Sequence, residues 1–177
     1  NIAVIGLGAA GGLVSVLLSK NPYNRVVGFD TKEPFSTLLP TGGGRCNLTY
    51  NEEDIREFAK NYPRGEKFLL SVFSRFNQQK TRKLFEDLGI KTYVQKDDRV
   101  FPVSDSSQKT VKILNSHLDN PNFSLKKEKV INIVKTENGF EVKTPNESYF
   151  FDYVIVATGG SKNSFELAEK LNHKIIE

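Results

Sequence analysis

Ile2-Ala3-Val4-Ile5-Gly6-Leu7-Gly8-Ala9-Ala10-Gly11-Gly12 is the stretch on which the fold turns. Four apolar residues run into a glycine, the pattern of a short buried parallel strand. From Ala9 to Lys20 the spacing becomes helical, and Asn21-Pro22 ends it. Arg25 to Asp30 is apolar again and reads as a second strand. Strand, glycine turn, helix and strand thus make one βαβ unit.

The glycines fall at Gly6-x-Gly8-x-x-Gly11. The first allows the tight turn out of the strand, the second lets a pyrophosphate approach bare backbone, and the third lets the helix lie close to the sheet. Ala9 and Ala10 open the helix, whose free N–H groups and positive dipole end suit phosphate. Asp30 follows Gly11 by 19 residues and ends the second strand. A carboxylate there accepts hydrogen bonds from an adenosine ribose and repels a 2′-phosphate. The expected ligand is FAD or NAD rather than NADP. Lys32 is cationic and would cut the other way if it faced the ligand; as a plain loop lysine it would not.

Outward from this unit, Thr31 to Tyr50 is irregular, with Pro34, Pro40 and three successive glycines. Loops of that length are uncommon and usually functional. At its centre stands Thr41-Gly42-Gly43-Gly44-Arg45-Cys46-Asn47-Leu48-Thr49. The glycines let backbone lie against a flat or phosphorylated ligand. Arg45 can pair a phosphate or stack on a ring. Asn47 can serve a flavin edge or fix the loop. Cys46 is the chain's single cysteine. It has no partner for dithiol chemistry and nothing near in sequence to lower its pKa, so packing is favoured over catalysis.

Helices are expected around Ile55 to Tyr62, from Phe68 to Phe76 (strongly apolar), from Gln79 to Leu88 with Gly89 as cap, from Ser107 to Leu118 and from Ser164 to Leu171. Short strands are expected at Ile90 to Val94 and Arg99 to Val103. Lys129 to Lys135 and Phe140 to Thr144 alternate around an Asn138-Gly139 hairpin signal. Ser148 to Phe151 adds a third antiparallel strand. Tyr153 to Ala157 is a second parallel-type strand running into Thr158-Gly159-Gly160, and His173 to Ile176 a terminal strand. The fold class is α/β: a Rossmann-like FAD/NAD(P)-binding domain with a central parallel sheet and a small antiparallel β crossover. The whole of 1–177 reads as a single such domain.

Composition bounds the function. Net charge is +4, and no Lys/Arg run is long enough to argue for nucleic acid, so none is expected as a partner. No apolar run approaches the roughly 18–20 residues of a membrane helix, so no membrane is expected either. One cysteine excludes a disulfide framework and fits a cytoplasmic protein. No metal-ligand cluster or Ser/His/Asp arrangement stands out, and His117 and His173 read as structural. The partner is expected to be a small-molecule substrate, its identity and the oligomeric state left open. The chain contains no Met, the initiator included, and so reads as a portion of a longer protein.

Four segments occur in a telling order: the GxGAAGG turn, TGGGRCNLT, Arg99-Val100-Phe101-Pro102-Val103-Ser104 and Ala157-Thr158-Gly159-Gly160. Together the chain resembles the HI0933-like family of bacterial NAD(P)/FAD-dependent flavoproteins, also called the BaiN or YhiN type. The GGGRCN run is the most specific of the four, and the resemblance covers essentially the whole chain. It implies a two-dinucleotide-binding-domain FAD fold with FAD on the glycine turn. By that similarity Asp30, with Thr31 and Lys32, would serve the adenosine ribose. Thr41 to Asn47 would line the pyrophosphate and flavin, and Val130 would meet adenine through its backbone. Thr158, Gly159 and Gly160 would form a second phosphate-side turn. Family members run to about twice this length, so the substrate-side β domain and the segment that completes the flavin site are expected elsewhere. The activity implied is hydride transfer through the flavin with NAD(P)H as donor, and no catalytic acid or base is assigned. A non-catalytic dinucleotide-binding module and a flavin-dependent RNA-modifying enzyme are the alternatives.

Overall fold

The computed structural model describes residues 1–160 and 162–176, the side chains at 162 and 163 lying outside the description. In chain order the elements are β1 (Ile2–Ile5), α1 (Ala9–Ser19), β2 (Val26–Phe29), two 3-10 turns (Ser36–Leu38 and Thr41–Gly44), β3 (Thr49–Tyr50), α2 (Ile55–Lys60), α3 (Glu66–Arg75), α4 (Gln78–Asp87), β4 (Thr92–Val94), β5 (Arg99–Pro102), α5 (Ser107–Ser116), β6 (Phe123–Lys126), β7 (Asn132–Thr136), β8 (Gly139–Lys143), β9 (Ser148–Phe151), β10 (Tyr153–Val156) and α6 (Lys162–Lys170). They gather into two compact units, one of Asn1–Thr37 with Leu114–Glu177 and one of Leu38–Ile113.

The first unit is the Rossmann-like part. Its parallel sheet has the order β10-β1-β2-β6. Ile2 pairs with both Tyr153 and Val26, and Val26 pairs in turn with Phe123. Alternation along the strands divides the core. Ala3, Ile5 and Phe29 face the antiparallel sheet β7-β8-β9 and pack with Val130, Ile133, Val142, Phe151 and Leu167 of α6. Val4, Leu7 and Val26 face the other way, with Val14 and Leu18 of α1. Phe29 is fully enclosed, its ring 5.3 Å from Tyr149 and 5.9 Å from Phe151, both edge-on. Truncating a ring so placed costs about 3–5 kcal/mol.

β6 is a strand the hydropathy pattern did not announce. It is four residues long, and only Phe123 and Leu125 turn inward, onto the Val4 cluster. Lys126, Lys127 and Lys129 then crowd its end, the usual protection of an edge strand. The antiparallel hairpin forms as expected, with Asn132 to Thr136 against Gly139 to Lys143. The expected strand at His173 to Ile176 does not form. Asn172 takes a left-handed φ of 64°, and His173 N donates to Ala168 O, so the chain is spent on capping α6.

The second unit joins the small sheet β3-β5-β4 to helices α2, α3 and α4. Two of these helices start on side-chain caps. Asp54 Oδ1 accepts from Arg56 N at 2.7 Å, and Asn77 Oδ1 from Lys80 N at 3.0 Å. Gly89, with φ 87°, ends α4 as its sequence position implied. Val100 and Phe101 of β5 are wholly buried. Phe58, Tyr62 and Phe73 form an aromatic cluster between α2 and α3. α3 itself forms where its apolar pattern predicts, yet none of its residues is buried.

Candidate functional site

The glycine turn is built as the sequence demands. Gly6 has φ 86°, and a Cβ on it would stand 2.8 Å from Ala157 O and Thr158 Cα. A Cβ on Gly11 would lie 1.8 Å from Gly6 O, so α1 crosses the turn at a distance only glycine permits. Gly8 caps α1 with no side-chain hydrogen bond, and no acid sits in the first turn. Gly12 N is the first to find a helical carbonyl, Gly8 O at 3.0 Å. The N–H groups of Ala9, Ala10 and Gly11 have no partner within the helix, and Ala9 and Ala10 are exposed. A helix end of this kind is a ready anion site.

Asp30 ties this turn to the sheet. Its Oδ2 accepts from Leu7 N at 2.7 Å and its Oδ1 from Lys32 N at 2.9 Å. An ionised carboxylate has about four acceptor positions, so capacity remains for a ligand hydroxyl. Leu7 O accepts from Phe35 N at 2.8 Å, which holds the far side of the loop. The carboxylate therefore shapes the turn in its own right.

Beside the turn lies a cavity of about 230 Å³ lined by Ile5, Gly6, Phe29, Asp30, Thr31, Glu128, Lys129, Val130 and Thr158. Five of the residues named from sequence meet here: Gly6, Asp30, Thr31, Val130 and Thr158. The volume is below the roughly 300–1,000 Å³ of a whole-ligand pocket, so it suits one end of a dinucleotide. Val130 is buried, Gly159 has φ 70°, and Gly159 and Gly160 are exposed beyond β10. The Lys32 side chain is exposed.

Glu128, which no local sequence pattern marks, also lines the cavity. Its carboxylate accepts from Thr144 Oγ1 at 2.6 Å and from the Tyr149 hydroxyl at 2.9 Å. Those bonds hold its pKa below the usual carboxylate range. Burial, and then the bond to Glu128, push the Tyr149 phenol up. The only hint in sequence was an acid standing alone in Lys126-Lys127-Glu128-Lys129. It lines the cavity together with Asp30 and Lys129. A larger cavity of about 870 Å³, lined by β7, Phe140 of β8, β10 and the residues that end α6, contains none of the cofactor-site residues named from sequence.

The Thr41 to Asn47 run belongs to the second unit. Gly42, Gly43, Gly44 and Cys46 all have positive φ, at 57°, 66°, 82° and 66°. A Cβ on Gly42 would stand 2.6 Å from Asn47 N, whereas Gly43 and Gly44 face open space. The Arg45 guanidinium lies 4.1 Å over the Phe101 ring and donates to Gln95 Oε1 at 3.2 Å. Asp105 stands 3.9 Å from it and accepts from the Tyr93 hydroxyl at 2.9 Å. Thr41 Oγ1 donates to Leu38 O at 2.7 Å, and Asn47 is exposed. Cys46 is wholly buried, and that burial pushes its thiol pKa up against a weaker pull from Thr41. That enclosure suits a packing role. Among the described residues no three His, Cys, Asp or Glu side chains converge as for a metal. No helix among them is long and apolar enough to cross a membrane.

A parallel sheet, a glycine turn closed by backbone contact, an uncapped helix start and an acid at the end of β2 define a Rossmann-type domain. The chain belongs to the family of the HI0933-like protein Rossmann domain, which it matches over residues 1–177. It is 27% identical over 175 residues to the ribosomal RNA dihydrouridine synthase of Escherichia coli K12, covering 98% of this chain and 43% of that protein. It is 25% identical over 190 residues to the 3-dehydro-bile acid delta(4,6)-reductase of Clostridium scindens, covering 98% and 44%. The chain thus spans less than half the length of these curated relatives. Its fold also superposes on NikD, an unusual amino acid oxidase, with a TM-score of 0.55 at 16% identity, over 98% of this chain and 54% of that one.

Proposed function

We propose that this chain binds FAD for a flavin-dependent oxidoreductase, with NAD(P)H as electron donor. The observation that carries the reading is the bare start of α1 beside a cavity that gathers Gly6, Asp30, Thr31, Val130 and Thr158. In this reading the N–H groups of Ala9, Ala10 and Gly11 hold the pyrophosphate, with Gly8 giving it room. Asp30 accepts from the ribose with the lone pairs that Leu7 and Lys32 leave free. Thr31 and Lys32 flank that sugar, Val130 meets adenine through its backbone, and Thr158 to Gly160 border the phosphates. Asp30 repels a 2′-phosphate, which favours FAD over NADP at this position. Family resemblance assigns Thr41 to Asn47 to the flavin end, where Arg45 offers a fixed positive charge and Gly43 and Gly44 bare backbone. Bound flavin would supply hydride chemistry that no side chain here can.

The test is anaerobic addition of NADH or NADPH to the purified full-length protein. A yellow protein whose flavin absorbance bleaches supports the reading. A colourless protein that FAD does not stabilise against heat refutes it and leaves a non-catalytic nucleotide module or a different ligand.

A second reading concerns the substrate. One relative is named a ribosomal RNA dihydrouridine synthase, and reduction of a uracil ring in RNA is within reach of the same flavin chemistry.

A further inference from the structure

The chain's charge is unevenly divided. The unit 38–113 carries 14 Lys and Arg against 10 Asp and Glu, while the other unit's 11 cations meet 11 acids. The net charge of +4 therefore resides wholly in one unit. Within it, residues 60 to 83 hold seven cations (Lys60, Arg64, Lys67, Arg75, Lys80, Arg82 and Lys83) against Glu66 alone. Apolar residues interrupt the series, so no run of like charge is visible in the sequence.

α3 sits at the middle of this segment. Its half-buried Leu69, Leu70 and Phe73 occupy one side, with Phe73 ringed by Phe58 and Tyr62. Lys67, Phe68, Ser71, Val72 and Arg75 are all exposed, at spacings that put them on the opposite face. Phe68 is 74% exposed, a bare aromatic ring between a lysine and an arginine. Phe76, 45% exposed, follows at the end of the helix, where the Lys80 ammonium donates to Arg75 O at 2.6 Å. Among the described residues neither Lys67 nor Arg75 has a carboxylate partner. No acid lies on this outward face.

We propose that the outward face of α3 is a docking surface for single-stranded RNA, with Lys67 and Arg75 on phosphates and Phe68 stacked on a base. Unpaired cations beside an open ring are what sequence-tolerant binding of single strands uses. A membrane-lying helix separates its apolar and basic faces. Here they are interleaved, and the larger apolar side is already turned toward the protein. The proposal deepens the RNA reading given above and rests on it for its ligand.

The test uses the full-length protein with FAD present and a fluorescently labelled 20-nucleotide oligouridylate, its anisotropy followed across a salt series. Binding should weaken steeply with salt. K67Q/R75Q should reduce the log–log salt slope by about 1.4, roughly 0.7 for each phosphate left without its cation. Phe68→Ala should weaken binding about tenfold, the size of one base stack, and leave the slope unchanged. K20Q/K135Q, a charge-matched pair of exposed lysines in the other unit, should behave as the parent. Flavin absorbance and circular dichroism should be the same in every variant. If K20Q/K135Q lowers the slope as much as K67Q/R75Q, or Phe68→Ala changes nothing, this surface is overturned while the RNA reading stands. A yellow protein that ignores the oligonucleotide, or binds phosphatidylserine vesicles in its place, overturns both. A colourless protein that binds RNA through these residues upholds the surface and removes the flavin reading.

Discussion

Gly11→Ala sets two large effects against each other. Alanine in place of glycine inside a helix is worth about 1 kcal/mol of stability from backbone entropy alone. Against this, the added methyl would stand 1.8 Å from Gly6 O. That atom is backbone, in a turn whose own φ of 86° is fixed by the crossing of β1, α1 and the strand end at Ala157. No side chain can rotate aside. The helix start must move by about 1 Å or more to reach a tolerable contact, and overpacking of this kind costs about 1–3 kcal/mol or more. Because the contact is with backbone, the cost falls at the upper end of that range, and the clash wins for a net loss of about 2 kcal/mol. The movement also displaces the N–H groups of Ala9 and Ala10, so FAD affinity should fall further than stability. Urea unfolding of ligand-free protein measures the first effect, and the FAD-induced rise in melting temperature the second. A variant as stable as the parent, with an undiminished FAD shift, would refute the turn as the phosphate site.

Three more outcomes are expected. Asp30→Asn keeps the shape but offers one acceptor oxygen where Leu7 N and Lys32 N now use two, so unfolding should show a loss of about 1–2 kcal/mol together with weaker FAD binding. Glu128 has its pKa lowered in the folded state, so its contribution is present above its unfolded pKa and lost as pH falls through the folded one. Stability measured from about pH 6 down to about pH 3 should decline less in Glu128→Gln than in the parent, and parallel curves would contradict the Thr144 and Tyr149 bonds. Cys46, enclosed and with a raised pKa, should resist a disulfide reagent at pH 8 in the native protein and react at once when unfolded. Rapid native labelling would show that the thiol is open.

The first βαβ unit was legible because each local signal there agrees with the next. The strand ends on the glycine that the turn needs, the helix begins without an acid, and the second strand ends on the acid that anchors the turn. Beyond it, legibility followed length and periodicity. β7 and β8 alternate cleanly around Gly139 and were readable. β6 has only two inward residues and a lysine cluster at its end, so it looked like a loop. His173 to Ile176 is apolar enough for a strand, but the cap of α6 takes its backbone and no described strand pairs with it. The apolarity of α3 predicted a helix but not its exposure, since only tertiary neighbours decide which apolar stripe is covered.

The site divided in the same way. Gly6, Asp30-Thr31, Val130 and Thr158 come from four places in the sequence, and the ends of β1, β2 and β10 with the run into β7 bring them to one cavity. Glu128 joins them through Thr144 and Tyr149, partners 16 and 21 residues away, which no local pattern encodes. Asp30 was read as a ligand acceptor, and the structure adds its grip on the glycine turn. The basic face of α3 escaped a search for charge runs because its cations are spaced by the helix rather than by the sequence.

FAD binding is measured by titrating FAD into ligand-free full-length protein and following flavin fluorescence. A saturable change at one FAD per chain is expected, weakened by both Gly11→Ala and Asp30→Asn. A flat titration with the parent, or one that both variants leave unaltered, would rule out the glycine turn and Asp30 as the FAD site.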